Sequence, residues 1–504
     1  MHPPTEATKS AEPGASAPAD SGGIREAAVF SMRMSLVGQV AGRLIQLGSS
    51  MILSRILFPE AYGLMRIVMF VAVGLAMLSD AGVHPALVRH PRGEEEDFLS
   101  TGWTISIIRG ALLWLVGMAL AGPVARFYGA PELEALLLVS SSVAFITGLQ
   151  SINLALLQRR LQLGRQVAIE LGAQVFAFCV TLTLALTLQS AWALVLGYMS
   201  YQSMLTVLSH VAIPGPRARL RLDREAFREI YTFGRWVFLS TVVTFGATRF
   251  DEFLLPKLIP AATFGVYSLA LLLIEVPRNV NLQLTQTVLF PALSAFSRRN
   301  HESLVAAFDR VWRILLPTTL LVALGTAAAA PLFFAVAYDD RYLGAGWMTQ
   351  LLMLMLWFDL VQTILGRVVL ALDNPRFLVV ANAVRFAAAA AGCIGGHWLA
   401  GFPGFILGYG LGPACATLLL AVVLTRDGLP VGRGLWLGLL IGGGCGGVFA
   451  AIPYLVAAAS GPEGGEAGPH ALTSAWITAV VGLAILGPWG MITARRVLQQ
   501  FRAA

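Results

Sequence analysis

The chain has 504 residues, 57% of them hydrophobic and only 12% charged, with a mean hydropathy of +0.72. A soluble protein carries about 25% charged residues, so a soluble globular enzyme is excluded. The net charge of +7 comes from basic residues in short loops between apolar runs, not from a basic soluble domain, and this argues against nucleic acid as a partner.

The four cysteines, Cys179, Cys393, Cys415 and Cys445, fall inside apolar segments without CxxC spacing and read as small packing residues. The seven histidines are scattered, with no metal-ligand spacing, and no nucleophile–base arrangement is visible. No catalytic residue, metal or cofactor is expected.

In chain order, residues 1–30 are rich in Pro, Ala, Ser and Gly and lack an apolar h-region, which predicts a disordered cytoplasmic tail rather than a cleaved signal peptide. Apolar segments follow at 34–56, 62–83, 100–122, 133–153, 168–188 and 192–213. A basic linker, residues 214–231, separates them from 232–250, 264–290, 312–336, 347–371, 377–399 and 402–424, and two more segments lie at 435–458 and 472–493. Each approaches the roughly 20 residues that cross hydrocarbon. The expected divisions are an N-lobe at 31–213, a C-lobe at 232–425, and a C-terminal part at 426–504 holding the last two segments and a tail.

Alternate loops differ sharply in basic residues: one side carries 23 Lys and Arg, the other only Arg55, Arg126, Arg249, Lys257 and Arg341. Positive residues stay inside, so both termini are placed in the cytoplasm and the number of spans is even.

One apolar stretch carries polar residues that lipid would not tolerate. Within Leu269–Phe290, Glu275, Arg278, Asn279, Gln283 and Gln286 step by three or four residues and so form one stripe on a helix. A charge at bilayer depth costs roughly 2.5 kcal/mol or more, so the stripe is expected to wall a solvated passage. Pro277 beside it would free a backbone carbonyl. The first segment repeats the pattern with Ser35, Gln39, Gly42, Gln46 and Ser49 beside Arg43, the seventh with Thr241, Thr244, Thr248 and Asp251, and the tenth with Asp359, Gln362, Thr363, Gly366 and Arg367. Gly38 with Gly42, and Gly404, Gly408 and Gly412, have the four-residue spacing of close helix packing.

The two halves echo one another. Ser54–Met65 and Pro256–Tyr267 align at an offset of 202, matching Arg55 to Lys257, Ile56 to Leu258, Tyr62 to Phe264 and Gly63 to Gly265. A parallel six-plus-six repeat is expected.

LSRILFPEAYG at Leu53–Gly63, with ALLQRRLQL, FGRWVFLS, FGVYSLA and VLFPALS in order after it, resembles the bacterial polysaccharide transporters, the oligosaccharide flippases of the MOP superfamily. The likeness is to the fourteen-span branch that includes colanic-acid and teichuronic-acid exporters. That resemblance implies an all-α integral membrane protein of about fourteen transmembrane helices, with two six-helix lobes around a central cavity and two appended helices. It implies alternating access in the bacterial inner membrane. The cargo would be a polyprenyl-diphosphate-linked repeat unit of lipopolysaccharide, exopolysaccharide or capsule, with membrane lipids, a polymerase and chain-length machinery as partners.

For such a cargo, guanidinium groups suit the diphosphate and amides suit the sugars. Arg43, Gln39, Gln46, Arg278, Asn279, Gln283 and Arg367 are the candidate binding residues, and Glu275, Asp359 and Asp251 the candidates for ion coupling. Bland readings stand beside these. Arg43 pairs with Glu275 or Asp359, Arg278 pairs with Glu275 one turn away, and Arg367 snorkels. Arg66, Arg109, Arg235 and Arg385 snorkel too, and Asp251 and Glu252 are solvated caps. Two other functions compete: a multidrug or small-solute cation-coupled antiporter of the same superfamily, and a membrane polysaccharide polymerase or ligase. The latter needs a large outer loop with catalytic residues, which Ala459–His470 does not provide.

Overall fold

The computed structural model describes residues 21–78, 95–159, 162–213, 219–223, 244–297, 301–432 and 434–441, with a few short stretches beyond. Among these residues the regular structure is helical. In chain order the helices are α1 (Ser21–Ser54), α2 (Pro59–Leu78), α3 (Glu96–Tyr128), α4 (Glu132–Ser140), α5 (Ser142–Gly148), α6 (Asn153–Arg159), α7 (Leu163–Leu188) and α8 (Ala191–Val211). Then come α9 (244–258), α10 (Ala261–Leu284), a π-turn (Thr285–Leu289), α11 (Phe290–Ser297), α12 (His301–Ala337), α13 (Gly344–Ala371), α14 (Pro375–Tyr409) and α15 (Leu411–Arg426). Among the described residues, six stretches are long and apolar enough to cross a membrane, or seven counting one bent by 42° within α13. The chain is an all-α, multi-pass membrane protein.

Most expected segments coincide with helices, and the departures have local causes. The tail was placed at 1–30, yet α1 begins at Ser21. The stretch IREAAVFSMRM is built from good helix formers, so the first helix runs back into it; residues 1–20 lie outside the described residues. Segment 133–153 breaks into α4 and α5 at Ser141. There Ser140, Ser141 and Ser142 each donate a side-chain hydrogen bond to the carbonyl three residues back, the pattern by which hydroxyls compete with helical hydrogen bonding. In α14 the backbone leaves helical geometry at Ala400 and Gly401 (φ 61°), which separates the expected 377–399 and 402–424. Those halves then fold back on each other through glycines: a Cβ on Gly396 would lie 2.0 Å from the Gly404 carbonyl oxygen, and one on Gly392 2.2 Å from that of Gly408. Most of 214–231, the first part of 232–250, Arg235, and most of 435–458 and 472–493 lie outside the described residues.

The helices pack as two sets. In the first, α1 lies along α7, α7 along α8, and α3 against α4 and α5; in the second, α10, α12, α14 and α15 pack around α13. The principal contact between the sets is α2 against α10, at the end where α1 turns into α2. A Cβ on Gly63 would lie 2.2 Å from the Ala261 carbonyl oxygen, and one on Gly265 only 1.8 Å from that of Pro59. Aromatic residues complete the seal. The Tyr342 hydroxyl donates to the Leu57 carbonyl at 2.8 Å, the Ser50 and Tyr338 hydroxyls share a 2.6 Å hydrogen bond, and Tyr62 meets Tyr342 edge to face at 5.7 Å. We call this the sealed end. Toward the other end α1 touches α10 only slightly, and Val40 and Leu44 of α1 are exposed.

The glycine contact yields a test. Gly265→Ala forces α2 and α10 apart and is expected to destabilise the sealed arrangement by about 1–3 kcal/mol, the usual cost of overpacking. Gly325→Ala, with no atom within 4 Å of the new Cβ, is the control. The two are compared by thermal unfolding in detergent; equal midpoints would refute the close contact.

Candidate functional site

Five arginines and four carboxylates from six helices meet between the two sets. Arg66 of α2 lies 2.9 Å from Glu252 of α9, which also accepts from Arg249 at 2.5 Å. Glu275 of α10 is shared more loosely, 3.9 Å from Arg66 and 3.5 Å from Arg43 of α1. Deeper in the second set, Asp359 of α13 accepts from Arg278 Nε at 2.9 Å and from Arg385 of α14. Arg385 also donates to Gln362 Oε1 at 2.9 Å and to the Ala247 carbonyl at 3.2 Å. The Tyr267 hydroxyl donates to Asp251 Oδ2 at 2.8 Å. The hollow left among these groups is about 20 Å³, room for roughly one water.

This cluster corrects several expectations. Arg66 and Arg385 do not snorkel; each lies between helices and is paired. Asp251 and Glu252 are 2% and 4% exposed and are not solvated caps: α9 turns them toward α10 and α2. Arg278 pairs with Asp359 rather than with Glu275 one turn away, because the carboxylate of α13 holds its Nε directly. In each instance distance along the helix to a segment end was a poor guide to which neighbour lay across from it.

The stripe on α10 therefore faces two ways. Glu275 and Arg278 line the charge cluster, whereas Asn279 and Gln283 line a separate cavity of about 560 Å³ between α1, α7 and α10, which we call cavity A. Its α1 wall carries Gln39, Arg43 and Gln46, all three expected there. Arg43 donates to Gln46 Oε1 at 2.7 Å, and Gln174 of α7 donates to the Gly42 carbonyl at 2.9 Å. Gly38 and Gly42 let α7 approach: a Cβ on Gly38 would lie 2.2 Å from Val167. The Arg43 side chain is 32% exposed, so it is both tethered and reachable. Arg367 lines neither cavity A nor the charge cluster. Gln286 is exposed within the π-turn; such turns recur at functional sites.

A third hollow, cavity B, went unread in the sequence. It measures about 510 Å³ and lies within the first set, between α2, α3, the broken α4–α5, α7 and α8. Arg109 of α3, expected to snorkel, lines it and donates to the Ala76 carbonyl at 2.7 Å. Gln166 and Glu170 of α7 line both A and B. Only the serine run at 140–142 hinted at it. Among the described residues no cluster of His, Cys, Asp or Glu could hold a metal ion.

Asp359 is the residue whose loss should be felt most. Asp359→Leu strands the buried Arg385 guanidinium and unpairs the half-buried Arg278, and is expected to cost about 3–5 kcal/mol of stability, with Arg385→Leu in the same chain recovering part of it. Arg313→Ala, removing an exposed ion pair with Asp309, should cost no more than about 1 kcal/mol. Thermal unfolding of the three variants checks the order.

Residues 52–346 match the family described as polysaccharide biosynthesis protein. The succinoglycan biosynthesis transport protein ExoT of Rhizobium meliloti (strain 1021) is 27% identical over 253 residues, half of each chain. The lipopolysaccharide biosynthesis protein WzxC of Escherichia coli (strain K12) is 21% identical over 321 residues, 63% of this chain and 65% of that one. The chain thus spans about half to two thirds of the length of the curated relatives it matches. Among solved structures, the lipid II flippase MurJ in an inward closed conformation superposes with a TM-score of 0.68 at 13% identity, over 93% of this chain and 100% of that one. An inward-facing MATE multidrug transporter of the MOP superfamily gives 0.60 at 14% identity, over 80% and 95%. These structural likenesses establish a shared helical fold. The family match covers more than half of the 504 residues, and by it the chain belongs to the polysaccharide biosynthesis protein family.

Proposed function

We propose that this protein moves a polyprenyl-diphosphate-linked oligosaccharide from the cytoplasmic to the outer leaflet of the bacterial inner membrane. The observation that carries the reading is Arg43, one-third exposed in an amide-lined cavity of about 560 Å³. Its pair with Glu275 is loose at 3.5 Å, so an entering diphosphate can draw the guanidinium away and hold it in bidentate fashion. Gln39, Gln46, Asn279 and Gln283 then meet the first sugar hydroxyls, and the polyprenyl tail remains in lipid. Arg278 and Asp359 are held on several sides; in this reading they set the local field and keep α10, α13 and α14 in register. Glu275, freed when Arg43 turns to cargo, is the carboxylate placed to take up a proton or cation. No bond is made or broken. The names of the relatives, which concern succinoglycan, lipopolysaccharide and lipid II, support a lipid-linked glycan over a lipophilic drug, as does the guanidinium-and-amide lining.

In this reading the sealed end faces the periplasm, since Arg55, Lys257 and Arg341 lie there and the Lys- and Arg-rich loops lie opposite. Residues 31–213 and 232–425 act as two lobes that rock about the α2–α10 contact. Both termini are cytoplasmic, segments 435–458 and 472–493 are appended, and a polymerase with its chain-length machinery receives the flipped unit.

In a strain lacking the native gene, Arg43→Ala is expected to lower polysaccharide export at least tenfold, matching the 1.5–3 kcal/mol typical of a charged hydrogen bond. Lipid-linked repeat units should build up in the cytoplasmic leaflet, Arg43→Lys should restore part of the export, and drug sensitivity should stay the same. Normal export by Arg43→Ala overturns the proposal.

A further inference from the structure

Cavity B is a second polar chamber within the membrane-spanning part of the first set, and the headgroup site at Arg43 does not use it. Its about 510 Å³ falls in the range of small-molecule sites, about 300–1,000 Å³. Polar side chains, among them Ser106, Thr147, Gln150 and Gln202, share its lining with apolar ones, inside a bundle of apolar helices where unpaired polar groups are costly. It borders a helix interrupted at Ser141, and interrupted backbone at such depth is tolerated where it lines a cavity or is covered by protein.

Apart from Arg109, whose guanidinium donates to the Ala76 carbonyl, several polar groups of the wall are set to accept hydrogen bonds. Ser106, Ser141 and Thr147 each donate their hydroxyl proton to a carbonyl of their own chain segment, at 2.9, 2.8 and 2.9 Å. Their oxygen lone pairs remain available. Gln166 Oε1 is buried without a hydrogen-bond partner, while its Nε2 is bound to Glu170 at 2.8 Å. A loose chain crosses the chamber, from Gln150 to Gln202 Oε1 at 3.5 Å and from Gln202 to the Tyr198 hydroxyl at 3.3 Å. Acceptor oxygens and an easily parted amide chain, with one guanidinium (Arg109) and one carboxylate (Glu170) of opposite sign in the same lining, fit a neutral ligand that both donates and accepts hydrogen bonds. Sugar hydroxyls have that character; an acyl chain does not.

The chamber is also in line with cavity A. Gln166 and Glu170, one turn apart on α7, line both and form a sill between them. We propose that cavity B is a glycan subsite: with the diphosphate at Arg43, the sugars that follow cross the Gln166–Glu170 sill and are bound by Gln150, Gln202 and Thr147. This inference rests on the transport reading above and adds to it a place where the glycan itself is recognised.

Two probes separate the subsite from the headgroup site. One is undecaprenyl diphosphate without sugar; the other is the lipid-linked oligosaccharide extracted from host cells lacking this protein. Both are titrated against the full chain in lipid nanodiscs. Gln202→Leu, and separately the near-isosteric Thr147→Val, should each weaken the oligosaccharide probe about five- to tenfold, the effect of one or two lost hydrogen bonds, and leave undecaprenyl diphosphate unchanged. Arg43→Ala should weaken both probes. If the cavity B variants keep their wild-type unfolding temperature and bind the oligosaccharide normally, or lose both probes alike, the glycan subsite is wrong while the headgroup site stands. If the wild-type chain binds neither probe, the transport reading falls and the subsite with it.

Discussion

A charge inside a membrane must find a partner, and in this protein some of the partners lie across the boundary between two sets of helices. Arg66 of α2 is held by Glu252 of α9, and Arg43 of α1 leans toward Glu275 of α10. Neither set alone supplies both members of these two pairs. Removing one member of a buried pair costs several kcal/mol, whereas the pair as a whole adds little net stability. The cluster therefore specifies which helices face one another more than it strengthens the bundle. What holds the sets together is the backbone contact of α2 with α10, where two glycines admit carbonyl oxygens and leave no room for water.

These two kinds of contact differ in how readily they part. Backbone packed against backbone is short-ranged and lost with a small separation. Charge pairs reach further, and a guanidinium can trade one oxygen for another. The pairs here are graded. Asp359 is gripped by Arg278 and Arg385, Glu252 by Arg66 and Arg249, while Glu275 has only long contacts. The Arg43–Glu275 pair, longer than those at Asp359 and Glu252, is the one bordering the larger cavity. An anionic ligand entering cavity A meets an arginine that can leave its partner at low cost, with better-fixed charges one layer behind it.

Much of this was legible in the sequence because membranes make polar residues conspicuous. The stripe on α10, the amides of α1 and the acidic group on α13 stood out against Leu and Val, and five of the seven residues expected to bind cargo line cavity A. Direction was harder to read. Glu275 and Arg278 lie on the same stripe as Asn279 and Gln283, yet the helix presents them to different hollows, since successive residues of a helix point about 100° apart and Arg278 turns toward α13 while Asn279 turns toward α1 and α7. Arg66 and Arg385 were misread for a related reason: position relative to a segment end fixes depth, not the neighbour. Cavity B has no such mark in the sequence, because the polar part of its lining is mostly Ser, Thr and Gln spread over several helices, none with a stripe of its own.

The echo between the halves shows what has been kept and what has diverged. Gly63 meets Ala261, and Gly265 meets Pro59; within each pair of equivalents, Pro59 with Ala261 and Gly63 with Gly265, the positions differ by the same 202. The contact is thus reciprocal, as across a twofold axis, where a surface patch meets its own equivalent. The charges do not follow that symmetry. The positions equivalent to Arg43 and Arg66 are Phe245 and Ser268, and those equivalent to Asp251, Glu252, Glu275 and Arg278 are Ser49, Ser50, Val73 and Ala76. A symmetric contact needs only small residues at matched places, so both halves keep them. A site for one asymmetric ligand gains nothing from a duplicate set of charges, and each unmatched charge in a membrane would cost stability. The arrangement that results is a scaffold close to twofold carrying chemistry that is not, with the basic groups divided between the halves so that the site is complete only when both are present.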